Sequence, residues 1–414
     1  MLEVLFADPK AVERLRRTPL GSHLDTFAAA ILALGYEPST VRQQLYLLRD
    51  LGRWLKRRKV AVSGLDEAVL KTYLALCRRR GRSTRGDATT VRRFLAHLRE
   101  QDIVPLPRVL HNDSAIDQLL RHYETYLRDE RGLSPATVVN YIPFVQRFLT
   151  ERFGKGPLYL DGLSPSDMEG FVVGHAPSTC AKRAQLMVSA LRSFLRFLLQ
   201  QGKIATDLAR CVPTVAGGSR TTIPKYLSRQ DVERLLDSCD RRTTVGRRDY
   251  AILLLLARLG LRAGEVRALT LDDIHWRAGE IVVRGKGNTR DRLPLPQDVG
   301  EALVTHLTQD RGQSQDRHVF LRARAPRRAF GHASSISTIV FRALQRAGLD
   351  PPIKGAHLLR HSLATGMLRG GATMSEIAEV LRHQRPQTTE IYAKVDLVGL
   401  GVLALPWPGK GGGQ

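Results

Sequence analysis

The upstream half of this 414-residue chain repeats itself, and that repeat limits the folds open to it. Gly35-Tyr36-Glu37-Pro38-Ser39-Thr40-Val41 introduces one amphipathic run, and Gly132-Leu133-Ser134-Pro135-Ala136-Thr137-Val138 introduces another. Gly64-Leu65-Asp66 answers to Gly162-Leu163-Ser164, and Arg93-Phe94-Leu95 through Ile103 answers to Ser193-Phe194-Leu195 through Ile204. The offsets run from 97 to 101 residues, so only small insertions separate the copies. A Ser beside the Pro marks a helix start in both. The pattern predicts two tandem helical modules, residues 1–110 and 111–212. In the first, Arg78-Arg79-Arg80-Gly81-Arg82-Ser83-Thr84-Arg85 reads as a basic loop that tracks phosphates, packs on a neighbouring subunit or is simply solvated.

Downstream the patterning changes. Residues 213–224 carry Pro213-Thr214-Val215-Ala216-Gly217-Gly218-Ser219, a composition that suits a flexible linker. A further domain, 225–395, opens at Ser228, a helix cap with Asp231 three residues on. It is mostly helical, but Glu280 to Arg284 and Arg290 to Leu295 alternate as short strands around Gly285-Lys286-Gly287-Asn288. The expected fold class is therefore mainly α with a small antiparallel β element. Residues 396–414 form an apolar segment, Pro406-Trp407-Pro408 and a glycine-rich tail.

Charge narrows the partners. Lys and Arg number 64 against 40 acidic residues, a net charge of +24, and the excess is spread over all three regions, which predicts a polyanionic partner. DNA and RNA fit equally on this ground. The longest apolar run, Ala251 to Ala257, is far too short for a bilayer, so no membrane association is expected. Glu3, Asp8, Lys10 and Glu13 argue against a secretory signal. Cys77, Cys180, Cys211 and Cys239 have no paired spacing and read as free thiols in a reducing cytoplasm.

The last third decides between the polyanions. It holds Arg262, Lys286, His357, Arg360, His383 and Tyr392 in that order. Two guanidiniums can grip the non-bridging oxygens of a phosphodiester through forked hydrogen bonds and neutralise the charge of its pentacoordinate transition state. A phenol is a poor nucleophile at its free pKa of about 10, so it needs cations and a base beside it. Taken singly, each residue has a plainer reading. His-x-x-Arg on a helix is commonly a solvated pair, and Tyr392 alone reads as a half-buried aromatic. His357 and His361 are spaced as metal ligands, but no third ligand is evident and no metal or other cofactor is expected. Gly285-Lys286-Gly287 lacks the spacing of a P-loop.

The strings around these residues are Gly260-Leu261-Arg262-Ala263-Gly264-Glu265-Val266, Gly285-Lys286-Gly287-Asn288, His357-Leu358-Leu359-Arg360-His361, Leu381-Arg382-His383-Gln384 and Thr388-Thr389-Glu390-Ile391-Tyr392. In this order the chain resembles a tyrosine recombinase of the phage integrase family over roughly residues 225–395. The resemblance implies a site-specific DNA recombinase of the integrase or transposase type, working through a 3′-phosphotyrosyl intermediate without metal or ATP. It implies that Arg262 and Arg360 clamp the scissile phosphate and that His383 hydrogen-bonds to it. Lys286 protonates the leaving 5′ oxygen, His357 takes or relays the tyrosine proton, and Glu265 supports the site. Residues 111–212 become the core-binding SAM-like domain of a clamp on double-stranded DNA, and 1–110 an added copy of it. A homotetramer on synapsed DNA is implied, with residues after Tyr392 docking on a neighbour or folding back on their own domain, and with partner recombinases or DNA-bending proteins as further partners. The location implied is cytoplasmic and nucleoid-associated. Arg382 stands where glycine is more usual, so a differently shaped turn is expected, and Ala393-Lys394 stand where Thr-His is common. A type IB topoisomerase and a non-catalytic DNA-binding accessory protein are the alternatives.

Overall fold

The protein is described here by a computed structural model, covering residues 1–81, 84, 86–106, 114–154, 156–216, 224–285, 289–312, 314–383, 385 and 388–395. It divides into two compact units, Met1–Pro107 with Ile223–Gln414, and Arg108–Thr222.

The amino-terminal part of the first unit has four main helices, Gly21–Ala33, Pro38–Arg58, Glu67–Arg79 and Asp87–Glu100. Each forms for a local reason. Pro38 sits in the first turn of its helix, where its missing N–H costs nothing, and Lys56, Arg57 and Arg58 face the negative end of the helix dipole. Asp66 caps the next helix by accepting from the Val69 N–H at 2.8 Å. Val41, Leu45, Leu48, Leu51 and Leu55 recur at helical spacing and are fully buried.

The Arg108–Thr222 unit follows the same element order. Its helices are Ala115–Thr125, Pro135–Phe153, Pro165–His175 and Ala181–Gln200. Proline again opens the second helix, capped here by Ser134, whereas Glu37 makes no such side-chain bond in the first module. A single 3-10 turn precedes the third helix in both, Val62–Gly64 and Leu160–Gly162. The likeness extends into the cores. Phe27 meets Phe94 edge to face at 5.1 Å, and Tyr123 meets Phe194 edge to face at 5.1 Å. Val91, Phe94, Leu95 and Leu98 are buried in one copy as Leu191, Phe194, Leu195 and Leu198 are in the other.

The carboxy-terminal part of the first unit is built round the helix Thr244–Arg258. Ala251 to Leu256 are wholly buried, so this helix is apolar on every face and its neighbours cover it: Arg229–Asp237, Gln297–Gln309, Ser334–Arg346 and Ala356–Arg369. Ser228 caps the first of these, accepting from the Asp231 N–H at 3.0 Å. A small antiparallel sheet lies in the order β1 (Ile274–His275), β2 (Glu280–Arg284), β3 (Arg290–Pro294), with Val283 opposite Asp291 and Arg284 opposite Arg290. Ile281 and Val283 point into the core while Arg284 is exposed, the alternation a half-buried strand requires. A hydrogen bond from Gly285 N to Thr289 O, 2.8 Å, closes the hairpin beneath its tip. Lys286 itself, most of the 213–224 linker and the 396–414 segment lie outside the described residues, as do Arg82, Ser83 and Arg85 of the basic stretch. All four cysteines are free thiols. Among the described residues no helix is long and apolar enough to cross a membrane.

Gly260 ends the central helix at φ +58, and a Cβ there would lie 2.9 Å from both Leu363 Cδ2 and Leu381 Cδ2. The left-handed backbone costs an L side chain roughly 1–2 kcal/mol and overpacking about 1–3. Gly260→Ala should therefore lose about 2–5 kcal/mol, read as a lower denaturant midpoint. An unchanged midpoint would show that the loop relaxes freely.

Candidate active site

Arg262 follows Gly260 and is the N-cap of the short helix Ala263–Ala268. Glu265, three residues on, binds it twice: Oε2 accepts from the Arg262 backbone N–H at 2.8 Å, and Oε1 accepts from Nη1 at 2.7 Å. Glu265 is buried, but the Arg262 side chain remains 38% exposed, so it is tethered on one side and open on the other.

Arg360 comes from the helix Ala356–Arg369 and is buried. Its Nη1 donates to the Gly260 carbonyl and its Nη2 to the Leu381 carbonyl. Burial, with Arg262 and Arg382 nearby, pulls its pKa down to about 10, which leaves it cationic at neutral pH. One guanidinium thus joins the Arg262 loop, its own helix and the end of the helix Met374–Leu381.

His383 lies just past that end, its Nδ1 2.7 Å from Thr389 Oγ1. Burial first, then Arg360, Arg262 and Arg382, push its pKa down to about 4, so the ring is neutral at neutral pH and one nitrogen keeps a hydrogen. Tyr392 sits in the 3-10 turn Glu390–Val395, 1% exposed, against Ala364, Ile377 and Leu381. Its hydroxyl is 2.9 Å from His361 Nδ1. Burial raises its pKa to about 12, partly offset by Arg360.

Arg262, Glu265, Arg360, His383 and Tyr392 therefore meet at one place from four segments. His357 lies one turn along the same helix, its ring centroid 6.5 Å from that of His361. His361 is the group that sequence reasoning missed, having weighed it only as a metal ligand. Its adjacency to Arg360 and its i+4 relation to His357 were the available signals. Among the described residues no group of three His, Cys, Asp or Glu side chains is placed to hold a metal. At the turn, Arg382 adopts φ 54, ψ 52, the left-handed conformation glycine takes most easily. The sheet's two-residue β1 was also unforeseen.

Residues 225–397 match the phage integrase family, and residues 120–202 match the phage integrase N-terminal SAM-like domain. The chain is 45% identical to the integrase/recombinase y4rA of Sinorhizobium fredii over 97% of each protein. It is 31% identical to the tyrosine recombinase XerD of Listeria monocytogenes over 68% of this chain and 95% of XerD. About a third of this chain thus has no counterpart in XerD, whereas y4rA is matched almost end to end. Its fold is similar to the XerH site-specific recombinase in a post-cleavage complex with a palindromic difH substrate, with a TM-score of 0.55 and 20% identity over 69% of this chain and 83% of that one. The chain belongs to the phage integrase family and is a site-specific tyrosine recombinase, an enzyme that cleaves and rejoins DNA.

Burial also ties the site to acid stability. His361, His383 and the buried His306 all have pKa values lowered, chiefly by burial. In the unfolded chain each imidazole titrates near 6.5. Between that value and about 4, where His383 titrates in the fold, the unfolded state binds protons that the folded state refuses. This contribution is complete above pH ~6.5 and is lost as pH falls. The thermal midpoint should decline from pH ~6.5 toward 4, above the usual carboxylate range, and a flat profile there would contradict the burial of these rings.

Proposed function

We propose that the chain exchanges DNA strands by attack of Tyr392 Oη on the scissile phosphate. The P–Oη bond forms as the P–O5′ bond breaks, giving a 3′-phosphotyrosyl link and a free 5′ hydroxyl. Arg262 and Arg360 hold the non-bridging oxygens and take up the charge of the transition state, and the neutral His383 adds a hydrogen bond. The phenol proton leaves to the His357–His361 pair, and Lys286 gives a proton to O5′. The link conserves the energy of the broken bond, so religation to another strand needs neither ATP nor metal. The observation that carries this reading is the contact between Tyr392 and His361, on the helix that also bears Arg360.

Two duplexes exchanging strands break four phosphodiesters in all, and each break needs its own nucleophile. One Tyr392 per chain therefore implies four chains on the synapsed DNA. XerH bound to difH and a lambda integrase dimer bound to a COC′ core site are folds of this kind. The first module, whose element order and aromatic pair match those of the second, is read as an added core-binding domain of an element-encoded integrase or transposase. The 396–414 segment docks on a neighbouring subunit, and DNA-bending proteins or partner recombinases act on the same DNA. The enzyme works where its DNA is, in the cytoplasm.

The test uses nicked suicide duplexes cut from the DNA bordering this gene, incubated in EDTA. A covalent protein–DNA band that survives SDS and whose nucleotide-bearing peptide contains Tyr392 is expected. A band that needs added metal, or that maps to another residue, would overturn the reading.

A further inference from the structure

Among the described residues only Lys59, Asp102 and Arg382 adopt a positive φ without being glycine. Lys59 merely ends a helix on the surface, but the Arg382 side chain is 7% exposed. A buried, charged residue in a conformation that favours glycine is an outlier that asks for a function. Its contacts suggest one. Arg382 Nη2 donates to Glu265 Oε2 at 2.8 Å, the same oxygen that accepts the Arg262 backbone N–H. Its Nε lies 3.8 Å from Asp291 Oδ2 on β3 and has no hydrogen-bond partner among the described residues. Asp291 stands opposite Val283, one pair in from the turn end of the β2–β3 ladder, and Lys286 lies between the two strands in the sequence.

We infer that Arg382 is a positioning residue for cleavage, acting through Glu265 on Arg262 and through Asp291 on the β2–β3 hairpin. Glu265 is one carboxylate shared between two guanidiniums. With Arg382 present, its charge is divided, and Arg262 keeps positive charge to offer a phosphate. With glycine at 382, the backbone would relax, but Glu265 would pair with Arg262 alone and neutralise part of the clamp. The hairpin would also lose its tie to the site. The residue that departs from the common family pattern thereby replaces a relaxed turn with an electrostatic link between two parts of the active site.

The inference rests on the assignment of Arg262 to the scissile phosphate, and the experiment separates the two. Single-turnover cleavage of the suicide duplexes is measured for wild type, Arg382→Gly, Arg382→Lys and Arg262→Ala, alongside DNA affinity. Hydrogen exchange of residues 280–294 is measured in the free proteins. Arg382→Gly suits the left-handed backbone, so folding is retained. Its cleavage should be slower by about 10- to 100-fold, the usual effect of removing a group that orients a reacting one, with affinity within about twofold. The hairpin should exchange faster, and Arg382→Lys, which keeps the charge, should recover part of the rate. Wild-type cleavage by Arg382→Gly overturns the inference, as does an equal loss in Arg382→Lys, which marks a packing role. If Arg262→Ala itself cleaves like wild type, the phosphate assignment falls first.

Discussion

Tyr392→Phe should bind DNA as tightly as wild type and form no covalent adduct at all. The ring fits the same apolar pocket, between Ala364, Ile377 and Leu381, and the fold loses only the hydrogen bond to His361, whose net worth is about 1 kcal/mol. On the mechanism proposed above, Phe removes the attacking hydroxyl, so the loss of chemistry is complete while the loss of stability is small. An adduct formed by the variant would remove Tyr392 from the mechanism. The neighbouring substitution His361→Ala should slow cleavage by about a hundredfold, the lower end of what a positioned acid–base group contributes. A phenol with a pKa near 12 must hand its proton to something, and His361, its pKa lowered by burial and by His357 and Arg360, is neutral and able to accept at pH 7. Protonation of His361 would end that, so the wild-type rate should hold through pH ~6.5 and fall only below the ordinary imidazole range. If His357→Ala slows cleavage far more than His361→Ala, the proton takes the other route.

Tyr392 is also 1% exposed in the free chain. A phosphate cannot reach that hydroxyl unless the Glu390–Val395 turn shifts, so attack by Tyr392 requires that turn to move. On the mechanism proposed above, such a requirement ties cleavage to assembly, because the free protomer keeps the Tyr392 hydroxyl covered and its pKa raised.

The legible parts of this site were those written in short-range pattern. The hairpin could be read because Glu280 to Arg284 alternates around a Gly-Lys-Gly-Asn turn, and the Ser228 cap because Asp231 follows at the right spacing. The repeat gave Phe94 and Phe194 as equivalent positions, though not their ring partners Phe27 and Tyr123, because the first helix of each module lies upstream of the glycine-proline landmarks. Strand β1 was beyond reach: two residues carry no period. Spacing put His361 beside Arg360 and one turn from His357, but its contact with Tyr392 depends on how a later segment folds back onto that helix. The same holds for Arg382, whose departure from glycine was visible but whose link to Glu265 spans 117 residues of sequence.

Arg360→Ala should be the most damaging single change, because this side chain serves chemistry and architecture together. Its two terminal nitrogens satisfy the Gly260 and Leu381 carbonyls from a buried position, and both acceptors would be left without that donor. Each orphaned buried group costs about 1–3 kcal/mol, so a loss of about 2–6 kcal/mol is expected, centred on the carboxy-terminal domain. The cleavage rate should fall by at least about 10²–10³-fold, the effect of deleting one fixed donor to a developing anion. Arg360→Lys separates the two contributions. It keeps a positive charge near the phosphate, but an ammonium cannot reproduce the planar fork that spans both carbonyls. Its stability should remain well below wild type, with a rate between those of the alanine variant and the native enzyme. If Arg360→Lys restored full stability, the carbonyl contacts would not be what fixes Gly260 against Leu381, and the convergence of Arg262 with His383 would need another cause.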